Sequence, residues 1–508
     1  MSSENNKRIA KNTLMLYFRM FITMAVSLYT SRIVLELLGV TNYGVYNVVG
    51  GIVAMSSFIT SSMSNGVQRF ITFALGDGDK ENLKKIFGMC INIQLLIAVV
   101  ILLVLETAGL WFLNTQLNIP YERMNAANWV YQFSILTLLL NITSSSYSAA
   151  VIAYEKMTVF AYVSIVEVTL KLGLVFTLSV ISFDSLKVYA ILMFLSSLII
   201  RIIYQVYCHL KIKDIRYTFF WNRKMFSSIL SFSGWNMFGG LTVVLGNQGV
   251  SIILNIFFGV IANAAKGVSL QVSSALFSFH SNILTALRPP IIKAYAQRNF
   301  ENMKDLTYRG AKYSFLMLLF ISLPVILETD LVLRLWLKEV PEYATIFTRL
   351  ILIISLIDCL SATIMIVSQA TGDIKRYNLG VSSVLILQLP LSYVSLKLGF
   401  VPESVFYVNI IVSIIALFTR VHLVHLLVST ITIKEFTKKV LTPAFSVLVV
   451  ASLITVPLVF YLNHTVISFI IIGFASVVSI AICSYFLGTD VTEREYVKRF
   501  ISKILKRV

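Results

Sequence analysis

Fourteen apolar runs, each long enough to cross a lipid bilayer, follow one another along this chain with only short polar breaks between them. A helix rises 1.5 Å per residue, so roughly 20 mostly apolar residues cover the hydrocarbon core. The runs fall at about 14–38, 43–74, 86–113, 126–150, 157–182, 187–208, 227–258, 267–290, 312–335, 346–370, 379–397, 404–428, 440–461 and 466–487. Hydrophobic residues make up 57% of the 508 and charged ones only 13%, whereas soluble domains carry about 25% charged residues. Strands of a membrane β-barrel would be about ten residues long and would alternate. The expected fold class is therefore an all-α polytopic membrane protein with about 14 transmembrane helices.

The charge pattern sets the orientation. A net charge of +18 would suit nucleic acid only if it formed one basic face, and here Lys and Arg are dispersed among short loops. The N-terminal stretch, the C-terminal tail and every second loop together hold 28 Lys and Arg, and the seven opposite loops hold 5. By the positive-inside rule both termini are expected in the cytoplasm. No small-residue cleavage site follows the first run, so no cleavable signal peptide is expected. No loop is long enough for a separate domain, which puts the function inside the helical bundle. The four cysteines (Cys90, Cys208, Cys359 and Cys483) are isolated and read as small apolar residues.

A shift of 220 residues aligns part of the chain with itself. It pairs Gly39 with Gly259, Ser61 with Ser281, and Glu81-Asn82-x-Lys84 with Glu301-Asn302-x-Lys304. Both copies start on the same side of the membrane, which makes the repeat parallel. Three regions are expected: a first six-helix lobe over 1–215, a second over 216–432, and an appended helix pair with a basic tail over 433–508.

Catalytic and metal-binding patterns are absent from the sequence: there is no P-loop, no His-Glu-x-x-His, no Gly-x-Ser-x-Gly and no Cys/His cluster. Neither an enzyme nor a resident cofactor or metal is expected. The informative residues are charges inside the apolar runs, where an ionised group costs about 2.5 kcal/mol or more. Arg201, Arg420, Arg334 and Arg349 lie near run ends and read as interfacial anchors. Glu106 and Asp358 lie deeper with no obvious partner, open to structural hydrogen bonding or to ion coupling. Arg32 with Glu36, and Glu167 with Lys171, stand four residues apart, either as self-satisfied pairs or as a switch that changes partners. Arg19, Arg69 and Arg288 have no acidic neighbour within a helical turn of sequence. Their guanidinium groups suit phosphate, and they are candidates to line one cationic cavity. Asn236, Asn247 and Gln248, on a glycine-rich seventh run, are candidate partners for sugar hydroxyls.

Residues of the first two runs carry a family likeness. Ser31-Arg32-Ile33, followed by Leu38-Gly39-Val40-x-x-Tyr43-Gly44-Val45-Tyr46, resembles the opening signature of polysaccharide-biosynthesis membrane proteins. These are the O-antigen flippases (Wzx type) of the MOP exporter superfamily, which share a MATE-like fold. Gln68-Arg69-Phe70-Ile71-Thr72 with Gly76-Asp77 is similar to them as well. The resemblance implies a bacterial inner-membrane protein working by alternating access. Its substrate would be an undecaprenyl-pyrophosphate-linked oligosaccharide, flipped from the cytoplasmic to the outer leaflet, with polysaccharide polymerase and chain-length machinery as partners. Arginines at Arg19, Arg32, Arg69 and Arg288 would hold the pyrophosphate, with Glu36, Glu167, Lys171 and Asp358 coupling transport to an ion. Two alternatives stand beside this reading: a cation-coupled multidrug antiporter of the same superfamily, and a membrane-embedded glycan polymerase or glycosyltransferase.

Overall fold

The computed structural model describes residues 3–54, 57–115, 119, 121–178, 183–212, 214–337, 340–462, 465–489 and 493–494. Among them there is no strand, and the helices run as α1 (Ser3–Ala54), α2 (Ser57–Asp77), α3 (Lys80–Val104), α4 (Leu110–Thr115), α5 (Met124–Ala153), α6 (Met157–Thr177), α7 (Ser185–Lys211) and α8 (Arg223–Ala296). There follow α9 (Phe300–Leu327), α10 (Thr329–Trp336), α11 (Ala344–Thr371), α12 (Lys375–Ile386), α13 (Gln388–Lys397), α14 (Ser404–Leu427), α15 (Ile433–Phe436), α16 (Thr442–Tyr461) and α17 (Val466–Cys483). Helix is what lipid demands, since each backbone N–H and C=O is then satisfied inside its own segment.

Among the described residues, eleven helical segments are long and apolar enough to cross a membrane, against the fourteen runs expected. The first, second and eighth expected runs, which carry Arg19, Arg69 and Arg288, fall outside these eleven. They are helical nonetheless, as α1, α2 and the second half of α8. Hydroxyl, amide and charged side chains interrupt α2 and the second half of α8 too often for a lipid-facing helix. The break expected near residues 39–42 is also absent. The Asn42 amide donates to the Leu38 carbonyl one turn back at 3.0 Å, so residues that read as a turn are absorbed into a continuous α1.

Two compact units divide the chain, Met1–Leu241 with Ile292–Arg298, and Thr242–Ile291 with Asn299–Val508. The first boundary lies inside α8 and not at the expected residue 215, because Ile229 on α8 belongs to the core formed by Val67, Phe87 and Tyr147 of the first unit. In that unit α5 packs on α7 and α2, and α1 packs on α6. The second unit has α11 against α9 and α14. Helices α16 and α17, expected as an appended pair, lie against α9 within it.

The 220-residue repeat has a local counterpart. Asp79 caps α3 by accepting from Asn82 N at 2.9 Å, and Asn299 caps α9 by accepting from Asn302 N at 3.1 Å. Gly78 and Arg298, one residue before each cap, both take positive φ. Within α8, Gly259 breaks the helix at φ 69° and ψ −157°, a conformation essentially reserved for glycine. Lys266, expected in a loop between runs, is instead helical and buried.

Candidate functional site

Ser134, Thr137, Asn141, Ser144, Ser145 and Ser148 recur along α5 at steps of three and four with one single-residue step. Such spacing puts them on one face of a helix. That face lines a cavity of about 910 Å³ within the first unit, the size of a site for a drug-like molecule. Thr60, Ser61 and Ser64 of α2 enter it, as do Ser164, Glu167 and Lys171 of α6, Ser197 and Tyr204 of α7, and Arg19 of α1.

Most of the hydroxyls whose bonds are defined donate to their own helix. Thr137 Oγ1 donates to Phe133 O at 2.7 Å, Ser148 Oγ to Ser145 O at 3.1 Å, and Ser164 Oγ to Phe160 O at 2.8 Å. Ser145 Oγ donates to Ile142 O at 2.7 Å while accepting from Gln94 Nε2 at 2.9 Å. Each hydroxyl oxygen has two acceptor lone pairs, so Thr137, Ser145, Ser148 and Ser164 offer acceptors to a cargo while their own protons stay bonded.

The charges in the wall are two cations and one carboxylate. Lys171 Nζ lies 2.6 Å from Glu167 Oε1, one turn apart on α6. Arg19 Nη1 approaches Ser164 Oγ at 3.5 Å, and its guanidinium sits 4.9 Å from the centre of the Phe160 ring. The formal balance of these three groups is one positive charge.

The other sequence candidates are placed elsewhere. Arg69 is half-buried on α2 and outside the lining of this cavity, with its guanidinium 4.6 Å from the Phe70 ring centre and 5.2 Å from that of Phe232. Arg288 is on α8 in the second unit, directly before Pro289 and Pro290. Arg32 and Glu36 lie on α1, with side chains outside the described residues. Asn236 is on α8 in the first unit but not in the cavity wall, and Asn247 and Gln248 are exposed in the second unit. Sequence depth gives a side chain's height along its helix but not the direction in which it points.

Three readings of the buried charges are corrected. Asp358, without an obvious partner in the sequence, faces Arg420, read as an anchor: Arg420 Nη1 lies 3.7 Å from Asp358 Oδ1 and donates to Ser361 Oγ at 2.5 Å. Arg349, read as an anchor, is partly buried, and its Nε donates to the Ile326 carbonyl at the end of α9 at 3.1 Å. Lys266 donates to the Asn247 carbonyl at 2.5 Å and to Ser251 Oγ at 2.8 Å, tying together the two halves of α8 on either side of Gly259. Glu106 resolves towards hydrogen bonding, accepting from Gln132 Nε2 at 3.1 Å. Arg334 pairs with Asp330 on an exposed turn at 2.9 Å.

Comparison with known proteins follows the same architecture. The MatE family model matches residues 237–394. An outward-facing multidrug resistance MATE family transporter of the MOP superfamily superposes with a TM-score of 0.72 at 14% identity, covering 84% of this chain and 97% of its own. The fold is that of the MOP-superfamily transporters. A second MOP-fold structure, from Pyrococcus furiosus, is described as having a binding pocket of reverse polarity that suggests a different function; its TM-score is 0.68 at 14% identity, with 83% and 96% covered. The MATE transporter ClbM in complex with Rb+ gives 0.70 at 17% identity, with 84% and 96% covered. No curated protein matches the chain.

The stripe on α5 was missed in the sequence. The fourth run carries no charged residue; its signal is the three- and four-residue recurrence of serine, threonine and asparagine.

Proposed function

We propose that this protein is a membrane transporter of the MOP fold whose first-unit cavity admits a polyhydroxylated, negatively charged cargo. The cavity wall carries this reading, with hydroxyls and Asn141 along successive turns of α5 and with Arg19 and Lys171 set against the single carboxylate of Glu167. An undecaprenyl-pyrophosphate-linked oligosaccharide has both features, and flipping it to the outer leaflet of a bacterial inner membrane fits the resemblance in α1. Under this reading Arg69 and Arg288 are further phosphate contacts outside the cavity.

Cation-coupled export of small organic molecules is the second reading, and the comparisons favour it more directly. The MatE match and the multidrug MATE neighbour both point that way, and Glu167 would serve as its acidic group. The two readings separate in proteoliposomes. Movement of a fluorescent lipid-linked oligosaccharide between leaflets, lost in the Arg19→Gln, Lys171→Gln variant, supports the first. Efflux of a cationic dye under a cation gradient, with no lipid movement, replaces it with the second.

A further inference from the structure

Residues 215–222, between α7 and α8, form a non-helical segment fastened to the side of α3. Ile215 is fully buried and Phe220 packs on the first unit's core. One α3 side chain holds both ends of the intervening stretch: Asn92 Nδ2 donates to Phe220 O at 2.9 Å, and Tyr217 OH donates to Asn92 Oδ1 at 3.0 Å. One turn earlier on α3, Gly88 lies so close that a Cβ there would stand 2.2 Å from Thr218 O. The segment is therefore a fixed strap.

What the strap presents outward is specific. Phe219 is 76% exposed and Trp221 53%, at the two-residue alternation that places them on one side of an extended chain. Arg216, Arg223 and Lys224 are exposed around them, and no acidic residue occurs between 215 and 224. The strap joins two helices of membrane-crossing length and apolarity, so it sits at the boundary where the hydrocarbon ends. Aromatic rings are favoured at that depth, and basic residues near an anionic membrane surface contribute about 1 kcal/mol each.

We propose that residues 216–224 form a docking surface for anionic phospholipid headgroups, with Phe219 and Trp221 seated among the headgroups and Arg216, Arg223 and Lys224 receiving their negative charge. Fixing the strap to α3 presents the rings and charges in a set geometry, so that binding orders little. The occupant is a lipid surface and not a soluble anion, because the cations flank two exposed aromatic rings, which a soluble anion would leave in water.

The test uses the full chain in nanodiscs of phosphatidylcholine alone or mixed with phosphatidylglycerol. Phosphatidylglycerol is expected to raise the melting temperature. The Arg216→Gln, Arg223→Gln, Lys224→Gln variant is expected to melt as the parent does in phosphatidylcholine and to lose the increment. Quenching of Trp221 by brominated lipid, taken as the difference from a Trp221→Phe control, is expected to be stronger for phosphatidylglycerol. Equal quenching by both lipids, an increment retained in the triple variant, or the same increment from free glycerol phosphate would each overturn the proposal.

Discussion

Lys171 Nζ lies 2.6 Å from Glu167 Oε1 on the wall of the first-unit cavity, with both side chains partly exposed to it. A pair so exposed contributes at most about 1 kcal/mol to stability; under the proposed function it meets the cargo. Lys171→Ala is expected to leave the melting temperature nearly unchanged. Transport should fall about tenfold or more, equivalent to a loss of roughly 1.4 kcal/mol in binding. Proteoliposome flux measured beside a melting curve checks both, and an unchanged flux would remove the pair from the site.

Arg420 and Asp358 behave differently, since the guanidinium is largely buried in the second unit. Arg420→Ala should destabilise by about 1–3 kcal/mol, because it strands the Asp358 carboxylate. Adding Asp358→Asn should recover part of that loss. A double-mutant cycle of melting temperatures in detergent measures the coupling, and strict additivity would contradict it.

Gly109 closes a single π-helical turn at Leu105–Gly109, where Tyr131 OH donates to Leu105 O at 2.7 Å. A Cβ on Gly109 would stand 2.0 Å from that hydroxyl oxygen. Gly109→Ala is expected to cost about 1–3 kcal/mol by overpacking, and much less in a Tyr131→Phe background, where the clashing atom is gone. Equal costs in the two backgrounds would show that the ring moves aside freely.

Glu493 is buried between Lys312, at 2.6 Å, and Arg309, at 3.4 Å. Removing a buried partner typically costs about 3–5 kcal/mol, so Glu493→Ala should lower the melting temperature sharply. Lys312→Met in the same background should restore part of it. Protease sensitivity of the C-terminal segment, higher in Glu493→Ala than in the parent, gives a second readout.

The all-helical membrane fold was legible because lipid imposes one rule on the whole chain: an apolar run of about 20 residues becomes a helix. Helix breaks were less legible. Asn42 reads as part of a turn, yet its amide bonds within the helix and carries α1 onward, whereas the break expected after the seventh run, which ends at 258, does fall at Gly259. For the site, the i, i+4 spacing of Glu167 and Lys171 announced their pairing, because one helix fixes both ends. Asp358 and Arg420 are on α11 and α14, and nothing local connects them. Arg19 and Arg69 look equivalent by depth, yet one lines the cavity and the other rests among aromatic rings, a distinction set by rotation about the helix axis.

The serines and threonines of the α5 face, bonded back to their own helix, have a consequence for the transport cycle. A cavity walled by unattached polar groups must stay wet, since squeezing out its water would leave donors stranded. Here the hydroxyl protons of Thr137, Ser145 and Ser148 already have carbonyls of their own helix as partners. Under the proposed function, this part of the wall could close after the cargo leaves at little cost in broken hydrogen bonds.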